Sequence, residues 1–134
     1  MSKALVVRAL SDDLSTLKLE DRDLGAPGKG EVKVRLRAAS VNFPDILMVQ
    51  GKYQLKPDLP FSPGMEGAGD VIAVGEGVAR VKVADKVVFG SRFGCYAEEI
   101  VVPEGAVRAL PLELSGGERQ RVAVGRALLS RPRI

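Results

Sequence analysis

Glu66 stands among glycines at 64, 67 and 69, just ahead of the apolar run Val71-Ile72-Ala73-Val74. Glycines so placed imply tight turns or close backbone approach, because only glycine takes positive φ freely. A rigid turn, a lone carboxylate and then a core strand describe either the edge of a working cleft or the turn that holds a barrel together. The rest of the chemical inventory is short. No histidine occurs anywhere, which removes the commonest general base and the commonest zinc ligand. Cys95, the single cysteine, cannot build a metal site, and its simplest reading beside Tyr96 is a structural thiol. No carboxylates form an evident catalytic pair.

Phosphate-binding loops are nearly absent. Gly67-Ala68-Gly69 lacks the third glycine of a dinucleotide fingerprint and precedes a strand, whereas that fingerprint needs a helix. Gly75-Glu76-Gly77 fails likewise. Ser115-Gly116-Gly117-Glu118 differs: it has the spacing of a capping box. Adjacent glycines at a helix start expose backbone N–H groups that suit a phosphate, and Arg119 and Arg121 add positive charge. A well-capped surface helix accounts for the same residues without a ligand.

The elements that must position these groups are mostly strands. Residues 4–10 and 16–20 have strand character on either side of a turn-rich Ser11-Asp12-Asp13. Residues 31–41 alternate strictly, with Val32, Val34, Leu36 and Ala38 on one face and Lys33, Arg35 and Arg37 on the other. That is a half-buried strand. Residues 42–51 read as a short helix with Pro44 in its first turn and Gly51 at its C-terminal end. Residues 52–63 are proline-punctuated and irregular. Further strands are predicted over 70–74, 81–83, 86–89 and 95–102, and a helix of about three turns over 119–130. The expected fold is mainly β, a small partly open barrel with one short helix, followed by a C-terminal α-helix.

Composition agrees with one domain and marks a boundary. At 134 residues, 46% hydrophobic and 28% charged, the chain has room for one core. Residues 1–112 carry fifteen Lys/Arg and fifteen Asp/Glu; residues 113–134 carry five Arg against two Glu, so 5 − 2 = +3 is the whole net charge. Two segments are therefore expected, 1–112 and 113–134. No apolar run approaches the roughly eighteen residues of a membrane span, and the N-terminus lacks a signal-peptide core. With a single cysteine these features suggest a cytoplasmic protein with neither a membrane nor a nucleic-acid partner.

Residues 1–112 resemble the N-terminal GroES-like domain of zinc-independent NADPH:quinone oxidoreductases, in the medium-chain dehydrogenase/reductase superfamily. The resemblance is carried by Ala39-Ser40-Val41-Asn42-Phe43-Pro44-Asp45, Gln50-Gly51-Lys52-Tyr53, the stretch from Pro60 to Gly69, Val74-Gly75-Glu76-Gly77-Val78 and Ala84-Asp85-Lys86-Val87. It implies a GroES-like barrel in which Asn42, Asp45 and Tyr53 line a cleft beside the nicotinamide and a quinone. Glu66 matches a glutamate of the same pattern. Zinc-dependent relatives carry a cysteine near position 42 and a histidine at the position of Met65, so the resemblance implies a zinc-free type. It also implies NADPH as cofactor, held by a Rossmann domain that these 134 residues lack, so that no cofactor is expected to bind this chain alone.

From Leu112 the sequence is similar to the signature motif and following helix of ABC-transporter ATPases. That likeness implies contact between Ser115, Gly116 and Gly117 and the phosphate of a nucleotide held elsewhere, because no Walker A loop is present. Two likenesses that do not belong together imply a chimera without independent catalytic activity. The alternatives are a quinone reductase once a cofactor domain is supplied, and a weak ATP- or anion-binding module. Apolar surface and strand edges left open by a missing half imply self-association, with a dimer as the expected state.

Overall fold

The computed structural model describes residues 1–111. The chain forms β1 (Ser2–Val7), β2 (Leu17–Arg22), β3 (Glu31–Ala39), α1 (Phe43–Gln50), β4 (Glu66–Val74), β5 (Lys86–Gly90), β6 (Glu99–Pro103) and β7 (Val107–Ala109). A 3-10 turn, Glu104–Ala106, links the last two strands. The mainly β fold expected from the sequence is the one observed. The expected helix over 119–130 lies outside the described residues.

Every pairing is antiparallel. β1 and β2 make a two-stranded ribbon, and the remaining strands form one sheet in the order β6-β3-β4-β5-β7. The ribbon is joined to the rest by bridges from Ala4 to Ala97 and from Val7 to Phe61. β3 behaves as its alternation predicts. Val32 and Val34 are fully buried in a cluster with Val71, Val87, Phe89, Ile100 and Val102, while Arg35 and Arg37 pair outside with Glu99 and Asp70. Burying each such valine contributes about 1.5–3 kcal/mol. A smaller cluster, Val7, Met48, Val49 and Phe61, seats α1 against β1.

Glycine sets the start of β4. The predicted strand over 70–74 begins four residues earlier, because Gly67 and Gly69 pair with both β3 and β5. Gly69 lies so close to β3 that a Cβ there would run into the Arg35 carbonyl oxygen. Interruptions in the β3–β4 register at Lys33/Val34 and Leu36/Ala38 mark bulges. Bulges bend a strand and re-aim the residues that follow; here those are Ser40 and Asn42.

Other predicted strands differ from what is seen. Residues 81–83 are not a strand. Val81 is buried in the main core, but residues 82–85 make a tight turn closed by Lys82 N–H to the Asp85 carboxylate at 3.0 Å and Asp85 N–H to the Lys82 carbonyl at 3.1 Å. Ala84 takes φ 77° within it. The strand predicted over 95–102 starts only at Glu99. Before it, Cys95 and Tyr96 bond instead to the Pro63-Gly64 turn and to Leu5. β7, absent from the sequence reading, pairs with β5 through Val107–Ala109.

Candidate functional site

The end of β3, the start of α1 and the start of β4 converge. Ser40 N–H donates to the Glu66 carbonyl at 3.3 Å, continuing the β3–β4 ladder past the last formal pair. Asn42, extended at φ −120° and ψ 156°, is the N-cap of α1. Its side-chain amide reaches toward β4. Asn42 Nδ2 donates to Ser40 Oγ at 2.9 Å and to Glu66 Oε2 at 3.3 Å, and Ser40 Oγ donates to the same Oε2 at 2.6 Å. Among the described residues Glu66 Oε1 accepts no hydrogen bond, and Glu66 is exposed.

The Ser40 hydroxyl, and then the Asn42 amide, stabilise the ionised form of Glu66 and hold its pKa below the ordinary glutamate value against a small desolvation effect. At neutral pH the group is therefore a fixed carboxylate with one oxygen open, an acceptor and not a proton donor. Val41 and Phe43 flank Asn42 and are 76% and 70% exposed, so apolar side chains border the polar cluster. On its other side Glu66 lines a cavity of about 440 Å³ with Gly67, Val88, Phe89 and Arg108. That volume lies in the range of small-molecule sites.

Asp45 sits behind this surface. It is only 2% exposed. Its Oδ2 accepts from Asn42 N–H at 2.8 Å and from the Tyr96 hydroxyl at 2.9 Å, and its Oδ1 accepts from Gly64 N–H at 3.1 Å. The Asn42 bond is the reciprocal half of a capping box. Asp45 thus clasps the first turn of α1 to the Gly64 turn, where φ is 101°, and to Tyr96. The clasp raises the Tyr96 phenol pKa, through burial first and the Asp45 hydrogen bond second.

Of the three residues expected to line a cleft, the structure brings only Asn42 and Asp45 together. Tyr53 packs, half-buried, on the smaller core cluster with Met48 and Phe61, and no hydrogen bond joins it to the others. Ser115, Gly116 and Gly117 lie outside the described residues. Sequence reasoning passed over Ser40 and Tyr96. A hydroxyl two residues before an N-cap asparagine was the available signal for Ser40. Nothing local could signal a Tyr96–Asp45 bond that spans 51 residues.

Residues 28–112 match the alcohol dehydrogenase GroES-like domain family. The chain belongs to that family. It is thereby a medium-chain dehydrogenase/reductase domain, with quinone oxidoreductases among its relatives. It is 46% identical over 97 residues to the human synaptic vesicle membrane protein VAT-1 homolog, covering 71% of this chain and 25% of that protein. It is 35% identical over 113 residues to mouse quinone oxidoreductase-like protein 2, covering 84% and 31%. In structure it is similar to a quinone oxidoreductase of Pseudomonas syringae pv. Tomato DC3000, with TM-score 0.76, 31% identity and coverage of 98% of this chain and 43% of that one. The chain therefore spans less than a third of the curated relatives it matches.

The glycine pair of β4 does not fit a dinucleotide. Gly67 and Gly69 lie inside β4, paired on both sides, so their backbone cannot cradle a pyrophosphate. Nor do the domain's described residues fit zinc. Among the described residues no three His, Cys, Asp or Glu side chains stand together. Burial, with smaller contributions from Asp45 and Glu66, pushes the Cys95 thiol up to about 12, which makes it a poor ligand. No described helix is long and apolar enough to cross a membrane.

Proposed function

We propose that this GroES-like domain is the substrate-side part of a zinc-independent, NADPH-dependent reductase of quinone oxidoreductase type. The observation that carries the reading is the Ser40–Asn42–Glu66 cluster, a fixed carboxylate and amide, with exposed Val41 and Phe43 next to Asn42 in the chain. Such a site suits a flat ring with polar oxygens: the apolar lips cover its faces, and Asn42, released from Glu66, donates to a carbonyl oxygen. Asp45 holds the Asn42 backbone in place and does not itself meet the ring. Tyr53 is assigned to the same cleft on the family resemblance alone; its ring packs on the smaller core cluster. The cofactor, whose chemistry is hydride donation, belongs on a separate domain, so residues 1–134 alone are expected to be catalytically silent.

The same reading makes this a cytoplasmic protein, without nucleic acid or membrane partners. The alternative that a supplied cofactor domain restores quinone reduction follows directly from it. Self-association as a dimer is proposed through β6 and β7, the edge strands of the sheet among the described residues. Light scattering at high concentration tests it, and a clean monomer rules it out. For the segment 113–134 the proposal is a chimeric addition, with weak anion binding by Ser115, Gly116 and Gly117. Calorimetry with millimolar ATP tests that, and absence of heat ends it.

The central test uses the 134-residue chain with NADPH and a naphthoquinone. Absorbance at the NADPH band should not fall above background. Amide resonances of Ser40, Asn42 and Glu66 should shift on adding the quinone, and Asn42→Ala should weaken that response at least tenfold. Turnover by the chain alone, or quinone-induced shifts that avoid these residues, overturns the reading.

A further inference from the structure

Arg22 closes β2, and its guanidinium is held on one side only. Its Nη2 donates to the Glu99 carbonyl at 2.8 Å, while its Nε is buried with no hydrogen-bond partner. Among the described residues no carboxylate pairs with it. Burial alone acts on its ionisation and holds it below the usual arginine value. A partly buried guanidinium with no carboxylate partner keeps donors other than Nε available to an anion, and an anion beside it offsets part of its desolvation cost.

Arg22 lines a cavity of about 610 Å³. Phe61 and Phe93 form part of its wall, edge to face with centroids 6.2 Å apart, and Leu24 and Ile100 add aliphatic surface. Arg92 contributes a second cation, and among the described residues no Asp or Glu lines the space. Neither do Ser40, Asn42, Asp45, Tyr53 or Glu66, although Gly90 and Ala106 line both this cavity and the one beside Glu66. A bare inorganic anion leaves most of such a volume empty. A neutral apolar molecule leaves the guanidinium unpaired.

We propose that this cavity is a second ligand site, for a monocarboxylate with an apolar alkyl or aryl body. The carboxylate pairs with Arg22, whose fixed Nη2 pre-orients the planar fork for it. The apolar body lies against Phe61, Phe93 and Ile100.

Calorimetric titration of the full 134-residue chain tests this with three probes: octanoate, octan-1-ol and inorganic phosphate. Octanoate should bind at least tenfold more tightly than either of the other two, which carry the body without the charge and the charge without the body. Arg22→Gln should weaken octanoate at least tenfold with the far-ultraviolet dichroism unchanged. Val101→Phe, which keeps Arg22 but fills the cavity from β6, should abolish binding. Should Arg22→Gln fail to fold, Val101→Phe decides the matter. Equal affinity for octanoate and octan-1-ol overturns the proposal, as does unchanged octanoate binding in a folded variant of either kind.

Discussion

Replacing Asp45 by alanine removes three hydrogen bonds to one buried carboxylate and leaves the Asn42 N–H, the Gly64 N–H and the Tyr96 hydroxyl without it. Bonds to a charged acceptor contribute about 1.5–3 kcal/mol each, but three on one group are not additive. Tyr96 is partly accessible, so water replaces some of what is lost. A net cost of about 3–5 kcal/mol is expected, a large share of the roughly 5–15 kcal/mol that holds a domain folded. Asp45→Asn keeps the volume but turns an amide N–H toward a donor, and should cost about 2–3 kcal/mol. Tyr96→Phe removes one of the three bonds and should cost about 1 kcal/mol. Urea unfolding followed by circular dichroism suits a chain with no tryptophan. The double variant Asp45→Ala/Tyr96→Phe should be less destabilised than the sum of its parts by about 1 kcal/mol, because the shared bond is counted once. An Asp45→Ala cost below about 1 kcal/mol refutes the clasp. Strict additivity of the two changes refutes the Tyr96 bond.

Three further outcomes are expected from the same geometry. Ser40→Ala should raise the Glu66 pKa toward the ordinary glutamate value in a carbon-detected NMR titration. Because the folded value is depressed, the small stability Glu66 adds is present above the unfolded pKa and is lost as pH falls through the folded one; an unmoved Glu66 pKa removes Ser40 from the cluster. Cys95, 1% exposed and with its thiol pushed up to about 12, should react with a disulfide reagent at pH 8 at least about 100-fold more slowly in the native protein than in urea; equal rates refute its burial. Gly64→Ala places a Cβ 2.8 Å from Tyr96 N at φ 101°, and should lower stability by more than about 2 kcal/mol in the same urea assay; a neutral effect disproves the tight turn.

What the sequence made legible was what local periodicity controls. β3 was readable because its valines and its basic residues alternate over the whole strand, and a period of two sends alternate side chains to opposite faces of a sheet. α1 was readable because Pro44 and Gly51 bracket it, and Gly51 does take the left-handed conformation at φ 72°. The misreadings have a common cause. Val81-Lys82-Val83 has the alternation of a strand but serves a turn, since Val81 alone reaches the core and the Lys82–Asp85 bonds reverse the chain. β7 is three residues long and is specified by pairing with β5, not by its own pattern.

The candidate site shows the same division. Glu66 is singled out by its type and setting and Asn42 by the family resemblance, but their meeting depends on a bulge in β3 that no single residue encodes. The family resemblance places Asp45 in the cleft beside Asn42. Its actual partners, Gly64 and Tyr96, are 19 and 51 residues away. This carboxylate accepts three bonds and is only 2% exposed, so burial, not a lack of acceptor positions, keeps it from a ligand in solution. Its contribution to any chemistry is to fix Asn42, and through Asn42 the open oxygen of Glu66. The chemically available groups are thus the two whose side chains the helix and the strand leave outside, and the buried aspartate is the reason they stay there.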